Sequence, residues 1–431
     1  MTNADSLPYR LWKPVDNTPL VIFRILLGFL LFFQSINDIF SDRVRTLFIE
    51  PAFTFPFMGF EWLRPLPGNG MYFYFLLMGL LAIMIMLGAF YRVAMIGYTL
   101  LWTATYLMQK CGYNNHYYLI ILICAFMCVM PAHRRLSVDV WRRPCIKSSY
   151  CPQWCSWLFI AQFGIVYTYA AIAKLYPDWL SGRYLESTLT SNRIRYLLCF
   201  VGIIFDFLIT PLMLFRRTRT WGMAAACIFH LTNAVVFTIG IFPFLALSAM
   251  LFFYPPNVIR QLLRWPALKP KANNASITIW KKLAVYAMGI YLLIQVLLPI
   301  RYLLFGTQPY WSEEGFRMSW RMMSRNKSGW VYFKVVNNDT HKSWIDEPET
   351  RLNYASLNSL PGFPDIIWQY AQHIKKIYEK EGIHNLSIYA VSSVSLNGRH
   401  PQPLIDPKTD LANTPWEPYR HANWIVPLEH E

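Results

Sequence analysis

The sequence predicts an α-helical integral membrane bundle with about nine transmembrane helices, followed by a small α+β domain outside the cytoplasm. Three observations lead there: an apolar composition, long apolar runs recurring through residues 1–305, and basic residues that alternate between successive loops. Hydrophobic residues make up 55% of the chain, aromatic residues 17%, and the mean hydropathy is +0.27, too apolar for an ordinary soluble enzyme. Charged residues are only 15%, yet the net charge is +16. On a membrane protein such an excess belongs to loops held at an anionic cytoplasmic surface, so the bilayer is the expected partner and nucleic acid is not.

The runs are 19–39, 71–90, 93–108, 116–130, 157–176, 196–215, 221–236, 239–254 and 283–305. A hydrocarbon core asks for about 20 helical residues, so the shortest runs fall below a full crossing and leave one pair open to a re-entrant path. The polar N-terminal segment meets the first run without a small-residue cleavage site, which predicts an uncleaved first span. With the N-terminus inside, seventeen Lys and Arg, from Arg10 to Lys282 and including Lys269 and Lys271, fall in cytoplasmic segments against seven in the opposite loops. The positive-inside rule then places residues 306–431 in the periplasm or outside the cell, or in the lumen of a eukaryote.

Within residues 306–431, β-branched and aromatic content predicts strands near 330–336 and 386–394. Between them Pro364 and Asp365 suit the first turn of a helix. Ile367, Tyr370, Ala371, Ile374 and Tyr378 form its apolar stripe, and Gly382 suits its C-cap. Residues 401–407 read as a proline-rich loop.

A polar or charged side chain within a span is costly and therefore a functional candidate. Lys174 ends the fifth run in the outer half of the membrane, where a snorkelling stem would also account for it. His116 opens the fourth run beside Asn114 and Asn115, which suit a helix cap. His230 lies mid-membrane in the seventh, with Asn233 one turn later on the same face. Individually each has a structural explanation, but their convergence at central or outer depth does not. Arg24 reads as a snorkelling arginine and Asp206 as a partner for a helix neighbour. Cys145, Cys151 and Cys155 lack a second ligand pair and read as reduced thiols, so no metal is expected. Nucleotide, zincin and serine-hydrolase motifs are missing.

At these residues the chain resembles the vitamin K-dependent gamma-carboxylase family, within the wider group of horizontally transferred transmembrane domain (HTTM) proteins. The resemblance is carried in order by residues 23–29, 64–67, 114–116, 137–139, 174–179, 229–233 and 319–323, and by the tail 405–407 with Trp424. It implies that Lys174 is the base that deprotonates a reduced quinone, assisted by His116, Asn115 and His230. It also implies reduced vitamin K, oxygen and carbon dioxide as co-reactants, with a glutamyl-containing protein or peptide as substrate. Asn114, Asn233, Phe316, Trp320, Arg325 and Lys327 fall at the implied substrate-binding positions. Animal members have a tyrosine where Phe316 stands, and a His-x-Arg where this chain has Arg325, Asn326 and Lys327. They also carry a disulfide and a C-terminal extension, so the resemblance is to a bacterial-type member. The expected function is gamma-glutamyl carboxylation coupled to quinol epoxidation, with the active centre in residues 1–305. Quinol epoxidation without carboxylation, and a transporter or lipid-binding module, are the alternatives.

Overall fold

The computed structural model describes residues 6–186, 189–237, 239–268 and 277–429; Lys269 and Lys271 of the orientation argument lie outside them. All nine apolar runs are helical. They become α1 Thr18–Phe40, α2 Gly70–Leu87, α3 Tyr91–Met108, α4 Asn115–Val129, α5 Trp154–Ala173, α6 Asn192–Leu214, α7 Arg219–Val236, α8 Phe242–Ala249 and α9 Ile279–Leu297. Pro299 removes an N–H just past α9, and the chain continues as a 3-10 turn to Leu304.

Among the described residues only α1, α2, α5, α6 and α9 with its extension are long and apolar enough to cross a bilayer. A sixth is added if Phe242–Phe253 and Pro256–Leu262, bent by 114°, count as one span. The expectation of about nine full crossings is not established. α4 has 15 residues, roughly 22 Å at 1.5 Å per residue, because Asn114 caps its start and Pro131 forces Met130 into an extended conformation. α4 compensates by burying His116, Leu119, Ile120, Ile123 and Met127 against other helices. α9 does the opposite: Trp280, Tyr286, Ile290 and Leu293 are exposed, an apolar face suited to lipid.

Close approach of α1 and α2 depends on Gly28, where a Cβ would lie 2.5 Å from the Met86 backbone nitrogen. Arg24 corrects the snorkelling expectation. It is 0% exposed and donates to the carbonyls of Ala132 at 3.1 Å, Arg135 at 3.3 Å and Leu136 at 2.5 Å. Its guanidinium thus satisfies the turn after α4, and that turn in turn supplies Asp139, whose carboxylate accepts from Phe90 and Tyr91 N–H at the start of α3. A two-stranded antiparallel ladder, β1 Pro14–Asp16 with β2 Tyr150–Pro152, closes the same end and was not foreseen.

The C-terminal region holds a three-stranded antiparallel sheet. β3 Lys327–Asn337 is central, flanked by β4 Ser343–Asp346 and β5 Leu386–Leu396. The helix α10 Pro364–Lys380 buries Ile367, Tyr370, Ala371, Ile374 and Tyr378 in one cluster with Phe333, Val335, Ile388 and Ala390. Gly382 ends it with φ +89°, a conformation glycine adopts without strain.

Polar contacts fasten this region to the helical bundle. Asp365 at the start of α10 binds Lys110 at 2.5 Å and Arg317 at 2.6 and 3.1 Å. Asp178, four residues after Lys174, binds Arg399 at 2.6 Å and Asn397 at 2.9 Å. The chain leaving α5 is therefore held from the C-terminal side, which fixes the position of Lys174.

Candidate functional site

A cavity of about 1420 Å³ opens between α1, α4, α5, α6, α7 and α8 and the segment 316–325. Its wall is largely apolar, with Ile209, Leu212, Ile228, Phe229, Val236 and Phe242 among the lining residues. Asn114, Asn115, His116, Lys174, His230 and Asn233, from three separate stretches of sequence, all border it. Phe316 and Arg325 do as well, so the cavity is completed by residues beyond position 305.

Lys174 is the C-cap of α5 and is 6% exposed. Its Nζ lies 2.5 Å from Asp206 Oδ2 and 5.4 Å from the centre of the Trp179 ring. The amine points inward, so the snorkelling explanation fails. Asp206, read from sequence as a partner for a helix neighbour, reaches from α6 to α5 and makes the site a buried ion pair. The chemical consequence is that the amine donates directly to a carboxylate inside the bundle.

His230 Nε2 lies 2.7 Å from Tyr167 Oη, while its Nδ1 is buried without a hydrogen-bond partner. The rings of Phe205, Phe229 and Phe242 stand edge-on to the imidazole at 5.7, 5.5 and 5.9 Å. If Tyr167 donates to Nε2, the ring proton sits on Nδ1 and is left for a ligand oxygen. His116 stacks with the same Phe242, with ring centres 5.9 Å apart. Its backbone is set by the N-cap Asn114, whose Oδ1 accepts from His116 N–H at 3.4 Å.

Asn115 joins two parts of the wall. Its Oδ1 accepts from Tyr113 Oη at 2.7 Å, and its Nδ2 donates to the Arg321 carbonyl at 3.2 Å. The segment it touches is unusually strained: Glu313, Met318, Trp320 and Met323 all have φ between +50° and +63°. Each such non-glycine residue costs of order 1–3 kcal/mol, and such strain clusters at functional sites.

Two expected substrate-binding residues stand elsewhere. Trp320 is 0% exposed and packs on Tyr118 with ring centres 5.3 Å apart, outside the cavity lining. Lys327 is likewise outside. It donates to the carbonyls of Trp311 and Gly362 at 2.5 and 2.8 Å and lies 3.1 Å from Glu313, with burial pulling its pKa down to about 8. Arg325 lines the cavity but is paired with the same Glu313 at 2.7 Å.

The sequence reading missed three contributors. Tyr167 is one of many tyrosines, with nothing local to single it out. Asp38 and Gln34 end the first run, where an acid in an apolar stretch was the available signal; Asp38 faces Arg43 at 3.6 Å and accepts from Gln34 Nε2 at 2.8 Å in the cavity wall. Among the described residues no group of three metal-ligating side chains converges.

Two known family models match the chain. The HTTM domain matches residues 12–257, and the lumenal domain of vitamin K-dependent gamma-carboxylase matches residues 280–431. No solved structure matches the chain. With those two domains in the same order along nearly the whole sequence, the chain belongs to the vitamin K-dependent gamma-carboxylase family.

Proposed function

We propose that the protein is a membrane enzyme that couples epoxidation of a reduced vitamin K-type quinol to carboxylation of glutamyl side chains. The observation that carries this reading is Lys174, held by Asp206 at 2.5 Å in the wall of a large apolar cavity that His116 and His230 also border. The residues fit a bulky apolar quinol: most of the wall is hydrophobic, and the partnerless His230 Nδ1 offers one buried polar contact. Lys174 and Asp206 would hold the quinol hydroxyl, with His230 and His116 orienting the ring. When bound, the quinol with oxygen supplies the driving force to remove the γ-proton of a glutamyl side chain, after which carbon dioxide adds to that carbon and the quinone leaves as its epoxide.

Lys174 can take a phenolic proton only when its amine is free of one. Asp206 is placed to accept the amine's proton across 2.5 Å, so it joins the proton-transfer centre in a way that an apolar pocket alone would not provide. The largely apolar wall limits the water that can compete for that proton.

Purified protein given reduced vitamin K, oxygen, labelled bicarbonate and a glutamyl peptide is expected to yield both epoxide and labelled peptide. Lack of epoxide overturns the reading. Epoxide without labelled peptide selects a quinol epoxidase instead, a reading favoured by the placement of Trp320 and Lys327 outside the cavity.

In this proposal residues 1–305 carry most of the centre, and residues 306–431 close it from the non-cytoplasmic side. A cysteine at exposed Thr340 is expected to react with an impermeant maleimide on intact cells, whereas the native exposed Cys145 reacts only after permeabilisation. The reverse pattern inverts the orientation.

A further inference from the structure

The other charged side chains that line the cavity have an opposite charge beside them. Asp38 faces Arg43 at 3.6 Å, Asp206 faces Lys174 at 2.5 Å, and Glu313 holds Arg325 at 2.7 Å. Arg321 lines the same cavity and is 8% exposed, yet among the described residues no carboxylate forms an ion pair with it. Its NH1 donates to Tyr310 Oη at 2.7 Å, and its Nε is buried with no hydrogen-bond partner. The rings of Tyr302 and Tyr310 lie 4.3 and 5.0 Å from the guanidinium carbon.

A guanidinium does not deprotonate in a protein, so Arg321 cannot shed its charge as a buried lysine can. Aromatic faces offset part of the desolvation, but they leave the fork of donors incompletely used. The backbone of Arg321 is fixed against the centre by the Asn115 amide at 3.2 Å. Strained neighbours Trp320 and Met323, at φ +60° and +50°, hold this stretch in shape.

We infer that Arg321 is the carboxylate-binding residue of this cavity, taking the side chain of an acidic peptide substrate through its guanidinium next to Asn115. The assignment of a peptide substrate rests on the function proposed above. Lys327 and Arg325, the cations expected from the sequence to do this, are already bound to Glu313, whereas Arg321 has charge and donor capacity to spare.

The test is binding to the full-length protein in nanodiscs without quinol, using N-acetylglutamate amide and N-acetylglutamine amide as probes in titration calorimetry. The wild type is expected to prefer the glutamate probe at least tenfold. Arg321→Gln is expected to lose that preference while its affinity for the glutamine probe stays the same, and Arg321→Lys to keep part of it. No preference in the wild type, or full preference in Arg321→Gln, overturns the assignment. Equal competition by chloride marks a general anion site and overturns it too. Should Arg321→Gln fail to fold, phenylglyoxal modification of the wild type decides: the glutamate probe must protect Arg321, and lack of protection refutes the proposal. Since these readouts need no turnover, an inactive quinol assay alongside a retained glutamate preference removes the quinol reading and leaves Arg321 in place.

Discussion

Lys174→Arg is expected to lower quinol epoxidation by on the order of 10²–10⁴-fold, the usual contribution of a positioned general base, while the folded bundle persists. The guanidinium preserves the positive charge and can still face Asp206, so the buried ion pair, at 7% and 5% side-chain exposure, retains a partner on each side. What it cannot do is release a proton and act as a base. Lys174→Ala should lose activity equally, with partial recovery on adding a small primary amine. It also leaves Asp206 buried without its cation, which makes arginine the cleaner comparison. Asp206→Asn separates positioning from chemistry: the lysine stays in place but loses its proton acceptor, so the pH dependence of turnover should move as well as its magnitude. Full epoxidation in Lys174→Arg, measured on protein whose thermal melting matches the wild type, would remove Lys174 from the mechanism.

Asp365→Asn is expected to destabilise the protein by about 3–5 kcal/mol, because it strands two buried cations at once. Lys110 is 1% exposed, Arg317 14% and Asp365 8% at the side chain, so solvent cannot take over the lost carboxylate's role. Burial alone would raise the Asp365 carboxyl, but Arg317 and Lys110 outweigh it and hold the group well below the ordinary carboxylate range. A depressed folded-state pKa contributes stability that is complete above the unfolded value of about 3.9 and is lost as pH falls below it toward the folded one. Thermal melts of detergent-solubilised wild type should therefore weaken below about pH 4, with a shallower acid dependence in Asp365→Asn. Identical melting of the two proteins at neutral pH would show that the clamp between α10 and the bundle contributes nothing. Because the same carboxylate joins the C-terminal region to the loop before α4, loosening should also disturb His116 and Asn115, which begin that helix.

Much of this protein is legible in one dimension. Apolar runs announce the helices because a lipid-facing backbone must satisfy its own hydrogen bonds, and α10 is visible from its 3.6-residue stripe between a proline start and a glycine end. The membrane class, the sheet strands β3 and β5 and the family are readable for similar reasons. A lysine, two histidines and three asparagines stood out against an apolar background, and the structure sets all six around one cavity. Pairings across elements were not readable. Periodicity gives the face a side chain occupies on its own helix, but not which helix that face meets, so Asp206 could not be matched to Lys174 nor Arg24 to the carbonyls of residues 132–136. The number of full crossings was equally hidden, since a short helix such as α4 is stabilised by neighbours and not by its own length. Position within a motif also did not decide which side chain enters the site. Within residues 319–323 the left-handed backbone at Trp320 and Met323 turns Arg321 to the cavity wall and leaves Trp320 in the core, a choice made by tertiary packing against Tyr118, Asn115 and Tyr310.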